Sequence, residues 1–326
     1  MKNLLLTGGL GYIGSKFREM FSDQYNITIL DTGFYSSRKI NLPNTRYIDI
    51  RNIEKKDLNN IDFVVHMSEL SNDPLGNLSG KLTFDINQNG TKKLLDLCQD
   101  TKVEKFIYMS SASIYGYSEV ESSENSKTNP LTDYAKAKES NELLLQNENY
   151  NFQKIIMRNA TAFGFSNNLR LDLVINDLAY SGFAKNELVL ISDGSPKRPF
   201  IHISDICTII DRFLNDQRNF DKEIFNIGSK ELNLSIRDVA EKIKEYLNIE
   251  KLVFGDFDPD QRSYYLNFEK LNKTFGDYKI IYNLERGLED LIKNFEQLKL
   301  SGNEIRLNKI KYLLDQKKLD SELFWR

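Results

Sequence analysis

Apolar residues along this chain come in short unbroken runs separated by longer amphipathic stretches. Asn3-Leu4-Leu5-Leu6-Thr7 is one such run, expected of a strand buried on both faces of a parallel sheet. A helix is expected from Ser15 to Phe21, then a strand over Ile27-Thr28-Ile29-Leu30 that ends in Asp31. The alternation continues through strands at Arg46 to Ile48 and Phe63 to Met67, a helix from about Leu78 to Asp100, and a strand at Lys105 to Met109. A helix of good formers then runs from Tyr134 through Glu148. Strand and helix in turn predict an α/β fold built on a doubly wound parallel sheet. Beyond Gly164 amphipathic patterns predict helices at Ser235 to Asn248, Leu284 to Leu298 and Arg306 to Lys317. The ending Leu323-Phe324-Trp325-Arg326 is apolar, which predicts docking against the fold or a partner subunit.

At 326 residues the chain can bury an ample core in one large or two ordinary domains. Its net charge of −3, with no long run of one sign, argues against nucleic acid as a partner. An anionic ligand would therefore be gripped by a few placed arginines or by backbone amides. Cys98 and Cys207 each sit in an apolar helical pattern and read as core residues of a reducing compartment. Two histidines and two distant cysteines offer no metal spacing, so no metal is expected. The first apolar run ends in glycines, as a strand does and a signal peptide does not, and no stretch approaches the ~20 apolar residues of a membrane span. A cytoplasmic protein is expected.

Three segments end at strand C-termini, where open α/β sheets bind ligands. The first is Gly8-Gly9-Leu10-Gly11-Tyr12-Ile13-Gly14, with glycines every third position between a strand and a helix. There the backbone must turn tightly, approach a pyrophosphate and aim helix N-terminal amides at it. Asp31 falls 23 residues after Gly8, near the ~20-residue offset of a carboxylate that binds an adenosine ribose, and its charge favours NAD over NADP. Arg38 and Lys39, further along that loop, speak the other way. The second segment is His66-Met67-Ser68-Glu69, and the third is the serine cluster Ser110-Ser111-Ala112-Ser113, which read alone is an ordinary polar turn.

Tyr134 and Lys138 form a Y-x-x-x-K. Four residues are about one helical turn, so both project from one face. A phenol titrates near ~10, and an ammonium beside it favours the phenolate and brings it toward neutrality. Alone, the motif also fits many solvated helices.

Taken together, TGGLGYIG, Asp49-Ile50, NQNGT (Asn87 to Thr91), MSSASIYG, YAKAK, RNATAFG (Arg158 to Gly164), DGSPKRPFIHISD (Asp193 to Asp205) and FNIG (Phe225 to Gly228) carry a resemblance. In this order they resemble the extended short-chain dehydrogenase/reductases, the NAD-dependent epimerase/dehydratase family acting on nucleotide sugars. The resemblance spans residue 3 to about 295. It implies a Rossmann-like NAD-binding domain over residues 1–165, with segments near 198–228 returning to it, and a smaller C-terminal α/β substrate-binding domain over 166–326.

By the same resemblance Tyr134 is the catalytic base, Lys138 binds the nicotinamide ribose and lowers the tyrosine pKa, and Ser111 hydrogen-bonds the reacting sugar hydroxyl, with Ser110 and Ser113 as alternatives. NAD is expected against Gly8, Gly11, Tyr12, Ile13, Gly14, Asp31, Asp49, Ile50, Met67, Ser68 and Asn87. The nucleotide-diphosphate sugar is expected against Asn72, Ser111, Ala112, Thr161, Arg198 and Arg262. Thr161 stands where many relatives carry Asn. Where 4,6-dehydratases carry Asp-Glu this chain has Ala112 and Ser113, neither of which can serve as acid or base for elimination. An epimerase working at a sugar carbon, C4 above all, is the first expectation. A nucleotide-sugar 4-dehydrogenase or ketoreductase is the second, because Leu169 to Leu178 resembles the matching part of GDP-heptose 4-dehydrogenases. A catalytically silent NAD-binding protein would have no need of Ser111, Tyr134 and Lys138 together. His202 and His66 read as packed, hydrogen-bonded residues. A homodimer through Leu82 to Cys98 and Tyr134 to Glu148 is a further implication.

Overall fold

The computed structural model describes residues 1–36, 42–71, 73–76, 78–256, 262–276, 279–302 and 304–326. Arg38, Lys39, Asn72, Asp260 and Gln261 lie outside them. Twelve strands are formed among the described residues: β1 Lys2–Thr7, β2 Tyr25–Asp31, β3 Thr45–Tyr47, β4 Phe63–His66, β5 Lys105–Ser111, β6 Gln153–Asn159, β7 Thr161–Phe163, β8 Glu187–Leu190, β9 Lys197–His202, β10 Glu223–Ile227, β11 Asn233–Ser235 and β12 Lys251–Phe254.

Seven of them make one parallel sheet in the order β10-β6-β5-β4-β1-β2-β3. The apolar runs supply its two buried faces by simple alternation. Leu5, Val64, Phe106 and Ile156 pack into one core, while Leu4, Leu6, Val65, Ile107 and Ile155 pack into the other. The chain leaves β1 toward β2 and β3, then returns to lay β4 on the other side of β1, so the order reverses between β1 and β4. That reversal opens the crevice where such sheets hold ligands.

Local chemistry shapes the elements around the crevice. The helix Tyr12–Phe21 begins inside the glycine motif, three residues earlier than its apolar pattern suggests, because Gly11 is its N-cap and makes no side-chain capping bond. The helix Asp133–Asn147 is capped by Thr132, whose hydroxyl accepts the Ala135 N–H at 3.2 Å. The long helix expected from Leu78 is present from Gly80 to Cys98, but Phe84–Asn89 form a π-helical insert.

The second half carries a three-stranded sheet, β11-β9-β7, and a two-stranded one, β12-β8. Its core gathers the apolar faces of the helices Ile236–Leu247 and Leu284–Phe295. The helix Arg306–Asp315 falls in the range expected of the second domain, 166–326, but does not pack on this half. Its Ile310 and Leu313, with Leu319 and Leu323, pack into the core under β1, β4 and β5. The chain end docks there too: Trp325 Nε1 donates to the Thr32 carbonyl at 2.7 Å, and the Arg51 guanidinium lies 3.8 Å from the Phe324 ring centre.

Candidate active site

A cleft of about 710 Å³ opens over the C-terminal ends of the parallel strands and runs under the second half. Gly8, Gly11, Tyr12, Ile13, Gly14, Asp31, Asp49, Ile50, Met67, Ser68, Ser111, Tyr134, Lys138, Thr161, Arg198 and Arg262 all line it. Two expected residues do not. Asn87 is fully buried behind the β4 loop, where its side chain accepts the Leu70 N–H at 2.8 Å and donates to the Leu70 carbonyl at 3.2 Å. It shapes the wall from behind. Ala112 is buried against Ile114, Tyr115, Tyr264, Leu266 and Phe268. Asn72 falls outside the described residues.

At one end lies the glycine loop. Gly8 holds a left-handed φ of +72°, and a Cβ on it would sit 2.7 Å from the Met67 carbonyl carbon, so the loops after β1 and β4 meet backbone to backbone. A Cβ on Gly14 would fall 2.6 Å from Gly9 Cα. The loop is therefore a cradle open to a ligand only while these positions lack side chains, and the uncapped amides of the helix Tyr12–Phe21 face into it, as a pyrophosphate requires. Tyr12 turns its side chain away: its hydroxyl donates to the Gly164 carbonyl at 2.6 Å and accepts from Asn176 at 3.1 Å. Asp31 ends β2, accepting backbone N–H groups from Leu10 at 3.0 Å and Gly33 at 2.8 Å. Burial raises its carboxyl above the ordinary range, against the pull of those two bonds. Asp49 lines the cleft with both oxygens taken by Arg51, at 2.9 Å each.

Further in, Tyr134 and Lys138 stand one turn apart, with the lysine nitrogen 5.7 Å from the tyrosine ring centre. Lys138 is buried, donates to the Met109 carbonyl and pairs with Glu69. Glu69 is held in turn by the Tyr108 hydroxyl at 2.9 Å and Asn141 at 3.3 Å. The serines divide their tasks. Ser110 donates to Glu142 at 2.5 Å, whereas the Ser111 oxygen accepts the Ser113 N–H at 3.2 Å and leaves its own O–H to donate into the cleft. The hydroxyls of Tyr35 and Ser113 and the side-chain carbonyl of Asn159 are buried cleft atoms without a hydrogen-bond partner among the described residues. Such atoms call for a polar ligand.

Toward the second half, β9 places Arg198, which donates to the carbonyls of Lys197 at 2.8 Å and Arg262, with Tyr264 5.4 Å beneath its guanidinium. Both arginines thus meet at one mouth of the cleft. The histidines are structural. His66 lies between Thr7 at 2.6 Å and Thr91 at 2.8 Å, and His202 caps the helix Ile203–Asn215 while stacked 3.7 Å from Tyr282. Sequence reasoning missed Arg170, Asp172 and Arg306, which also line the cleft. Arg170 and Asp172 lay in a segment already singled out, but nothing near Arg306 marks it.

The model of the NAD dependent epimerase/dehydratase family matches residues 4–228, and the chain belongs to this family. It is an NAD-dependent enzyme of the epimerase/dehydratase type, and the cradle described above fits that coenzyme. Among its relatives, the UDP-glucose 4-epimerase of Mycoplasma genitalium is 28% identical, over 87% of this chain and 94% of that protein. The crystal structure of UDP-glucuronic acid 4-epimerase from Bacillus cereus, with UDP-glucuronic acid and NAD, superposes with a TM-score of 0.78 at 25% identity, over 92% of this chain and all of that one. UDP-N-acetylglucosamine 4-epimerase from Methanobrevibacter ruminantium, 24% identical, shares the fold with a TM-score of 0.80 over 91% and 99%. Among the described residues no helix is long and apolar enough to cross a membrane, and no cluster of three or more His, Cys, Asp or Glu is placed to hold a metal.

Proposed function

We propose that the chain is a nucleotide-sugar epimerase that inverts a sugar carbon, C4 being the first choice, with Tyr134 as the acid/base. The observation that carries this reading is the meeting, in one cleft, of the glycine cradle with Tyr134, Lys138 and Ser111. NAD, when bound there, supplies a reversible hydride acceptor. Gly8, Gly11, Gly14 and Asp31 hold it, and Met67 and Ser68 line the far side. Tyr134 takes the proton from the reacting sugar hydroxyl and later gives it back, which requires its phenol to titrate nearer neutrality than ~10. The Lys138 ammonium favours the phenolate by its charge. Ser111 donates a hydrogen bond to the same sugar oxygen and fixes its direction. Arg198 and Arg262 offer forked donors to the substrate diphosphate, and Thr161 lines the same cleft. Inversion then needs the keto sugar to turn its other face before hydride is returned to that carbon and the proton to its oxygen. Neither Ala112 nor Ser113 carries a carboxyl for elimination.

A second reading, net oxidation to a released 4-keto sugar, is favoured by one feature. The segment Leu169 to Leu178 that resembles GDP-heptose 4-dehydrogenases supplies Arg170, Asp172, Leu173 and Val174 to the cleft wall.

Two measurements test these readings. Tyr134→Phe should reduce turnover about 10²- to 10⁴-fold while NAD stays bound, and near wild-type turnover would sink the assignment. Incubation with UDP-, GDP-, CDP- and dTDP-sugars without added coenzyme should convert one of them to an isomer of unchanged mass. A product two hydrogens lighter, formed only with added NAD, would establish the dehydrogenase instead.

A further inference from the structure

The loop after β4 carries a carboxylate that the reaction described above does not use. Glu69 lines the cleft, yet its side chain is only 2% exposed. One of its oxygens accepts the Tyr108 hydroxyl at 2.9 Å and the Asn141 amide at 3.3 Å. The other pairs with the ammonium of Lys138, which also donates to the Met109 carbonyl. Two of the three N–H donors of that ammonium are thus directed at Glu69 and Met109. The same ammonium lies 4.7 Å from the ring centre of Tyr108 and 5.7 Å from that of Tyr134. Lys138 is therefore the shared neighbour of Glu69 and Tyr134.

Taking a carboxylate and an ammonium out of water is costly, and such a pair needs further hydrogen bonds to complete it. Tyr108, Asn141 and Met109 supply them here. A lysine buried without a carboxylate tends to give up its proton, and with it the charge that favours the Tyr134 phenolate. The carboxylate also acts on the phenol, because a negative charge nearby keeps the phenolic proton on. Removing it must lower the proton affinity of both groups, most at the ammonium it touches. The other titratable groups around the lysine leave this control to Glu69. From β4, His66 is pushed down to about 3 by burial and the Lys138 charge, and stays neutral. From β5, burial and the Glu69 charge push the Tyr108 phenol up, and it stays neutral too. The segment Phe84–Cys98 brings Asn87 and Thr91 to Asn141, and neither titrates. On the helix itself Glu142 is taken by Arg158, and in the cleft wall Arg170 is taken by Asp172.

We propose that Glu69 is a positioning residue for the acid/base step: its carboxylate keeps the Lys138 ammonium in place and charged, and so sets the pH range in which Tyr134 exchanges its proton. The proposal rests on the reading of Tyr134 as the acid/base. Glu69 itself passes no proton to the substrate. The sugar hydroxyl gives its proton to the Tyr134 oxygen and later recovers it, while Lys138 and Glu69 keep their charges throughout.

The test uses the full chain saturated with NAD and labelled with carbon-13 at the phenolic carbon of tyrosine. Tyr134 is the resonance absent from Tyr134→Phe. Its titration is followed by NMR in wild type, Glu69→Gln, Glu69→Ala and Glu69→Asp. Gln and Ala remove the charge, and each should bring the Tyr134 midpoint down by about one pH unit. Asp restores the charge and should stay within about 0.3 unit of wild type. If one of the two neutral variants fails to fold, the other carries the test. Turnover of the sugar nucleotide found with the panel above should be displaced in the same direction. The alkaline limb of its pH profile, where Lys138 loses its proton, should move down by about 1–3 units and the acid limb by about one. A Tyr134 midpoint that does not move, with turnover lowered equally at every pH, would make Glu69 a packing residue and overturn the proposal. A midpoint moved to higher pH would overturn it as well. Should no sugar nucleotide turn over, the proposed function fails, while the NMR titration still decides the role of Glu69.

Discussion

Among the bonds that fasten the helix carrying Tyr134 to the sheet is a buried ion pair, and breaking it should show how much of the protein's stability comes from that bond. Glu142, two turns after Tyr134, pairs with Arg158 of β6 through contacts of 2.7 to 3.1 Å, the side chains being only 3% and 6% exposed. Burial by itself lowers the arginine's pKa, but the Glu142 charge and hydrogen bonds outweigh it and the net direction is up. Glu142 also accepts from Ser110, and Arg158 donates to the Tyr115 hydroxyl at 2.8 Å. Glu142→Leu would leave the guanidinium buried without its carboxylate, a loss of about 3–5 kcal/mol.

Unfolding entropy of about 2.1 cal/mol/K per residue, over 326 residues, gives about 0.7 kcal/mol/K, so a 4 kcal/mol loss lowers Tm by about 6 °C. Arg158→Met should do the same from the other side. The double variant Glu142→Leu/Arg158→Met removes both charges and leaves only neutral groups, the Ser110 and Tyr115 hydroxyls and the Glu124 carbonyl, short of a partner, so its Tm should fall by less than that of either single variant. Scanning calorimetry on the four proteins closes the cycle. If the double variant loses as much as the two singles added together, the pair is not coupled and the argument fails.

Two more outcomes follow from other buried groups. Burial, helped by the nearby Lys138 charge, pushes His66 down to about 3, so the folded imidazole stays neutral while the unfolded one binds a proton below its ordinary 6.5. The unfolded state then holds more protons between these values, and stability should rise with pH there by up to about 1.4 kcal/mol per unit, or about 2 kcal/mol lost to His66 between pH 7 and pH 5. Urea unfolding at both pH values should show this difference shrinking in His66→Gln, and parallel behaviour of the two proteins would refute it. Gly14→Ala drives a methyl to 2.6 Å from Gly9 Cα and 2.7 Å from the Gly8 carbonyl oxygen, so the cradle must open. Overpacking of ~1–3 kcal/mol corresponds to roughly 5- to 150-fold weaker NAD binding by calorimetry, and unchanged affinity would mean the loop is not the binding surface.

What could be read from the sequence was whatever is encoded between near neighbours. The β1 run, the glycine triplet with Asp31, and the Tyr134/Lys138 spacing each reflect a local rule of burial, backbone freedom or helical pitch; the strand forms as expected, and the residues of the other two line the cleft. Expectation failed where a residue's role depends on what arrives from elsewhere. Asn87 lies in a motif quoted for the coenzyme, yet the π-helical insert it belongs to buries its amide against Leu70. Apolar periodicity at 3.6 residues does not mark such an insert. The helix Arg306–Asp315 has an apolar face suited to any core, and only the three-dimensional path of the chain decides that it packs under β1 and not on the second half. That choice has a chemical consequence. The helix docked there brings its first residue, Arg306, into the wall of the cleft, with its guanidinium on the Asn168 side chain and the Tyr35 ring.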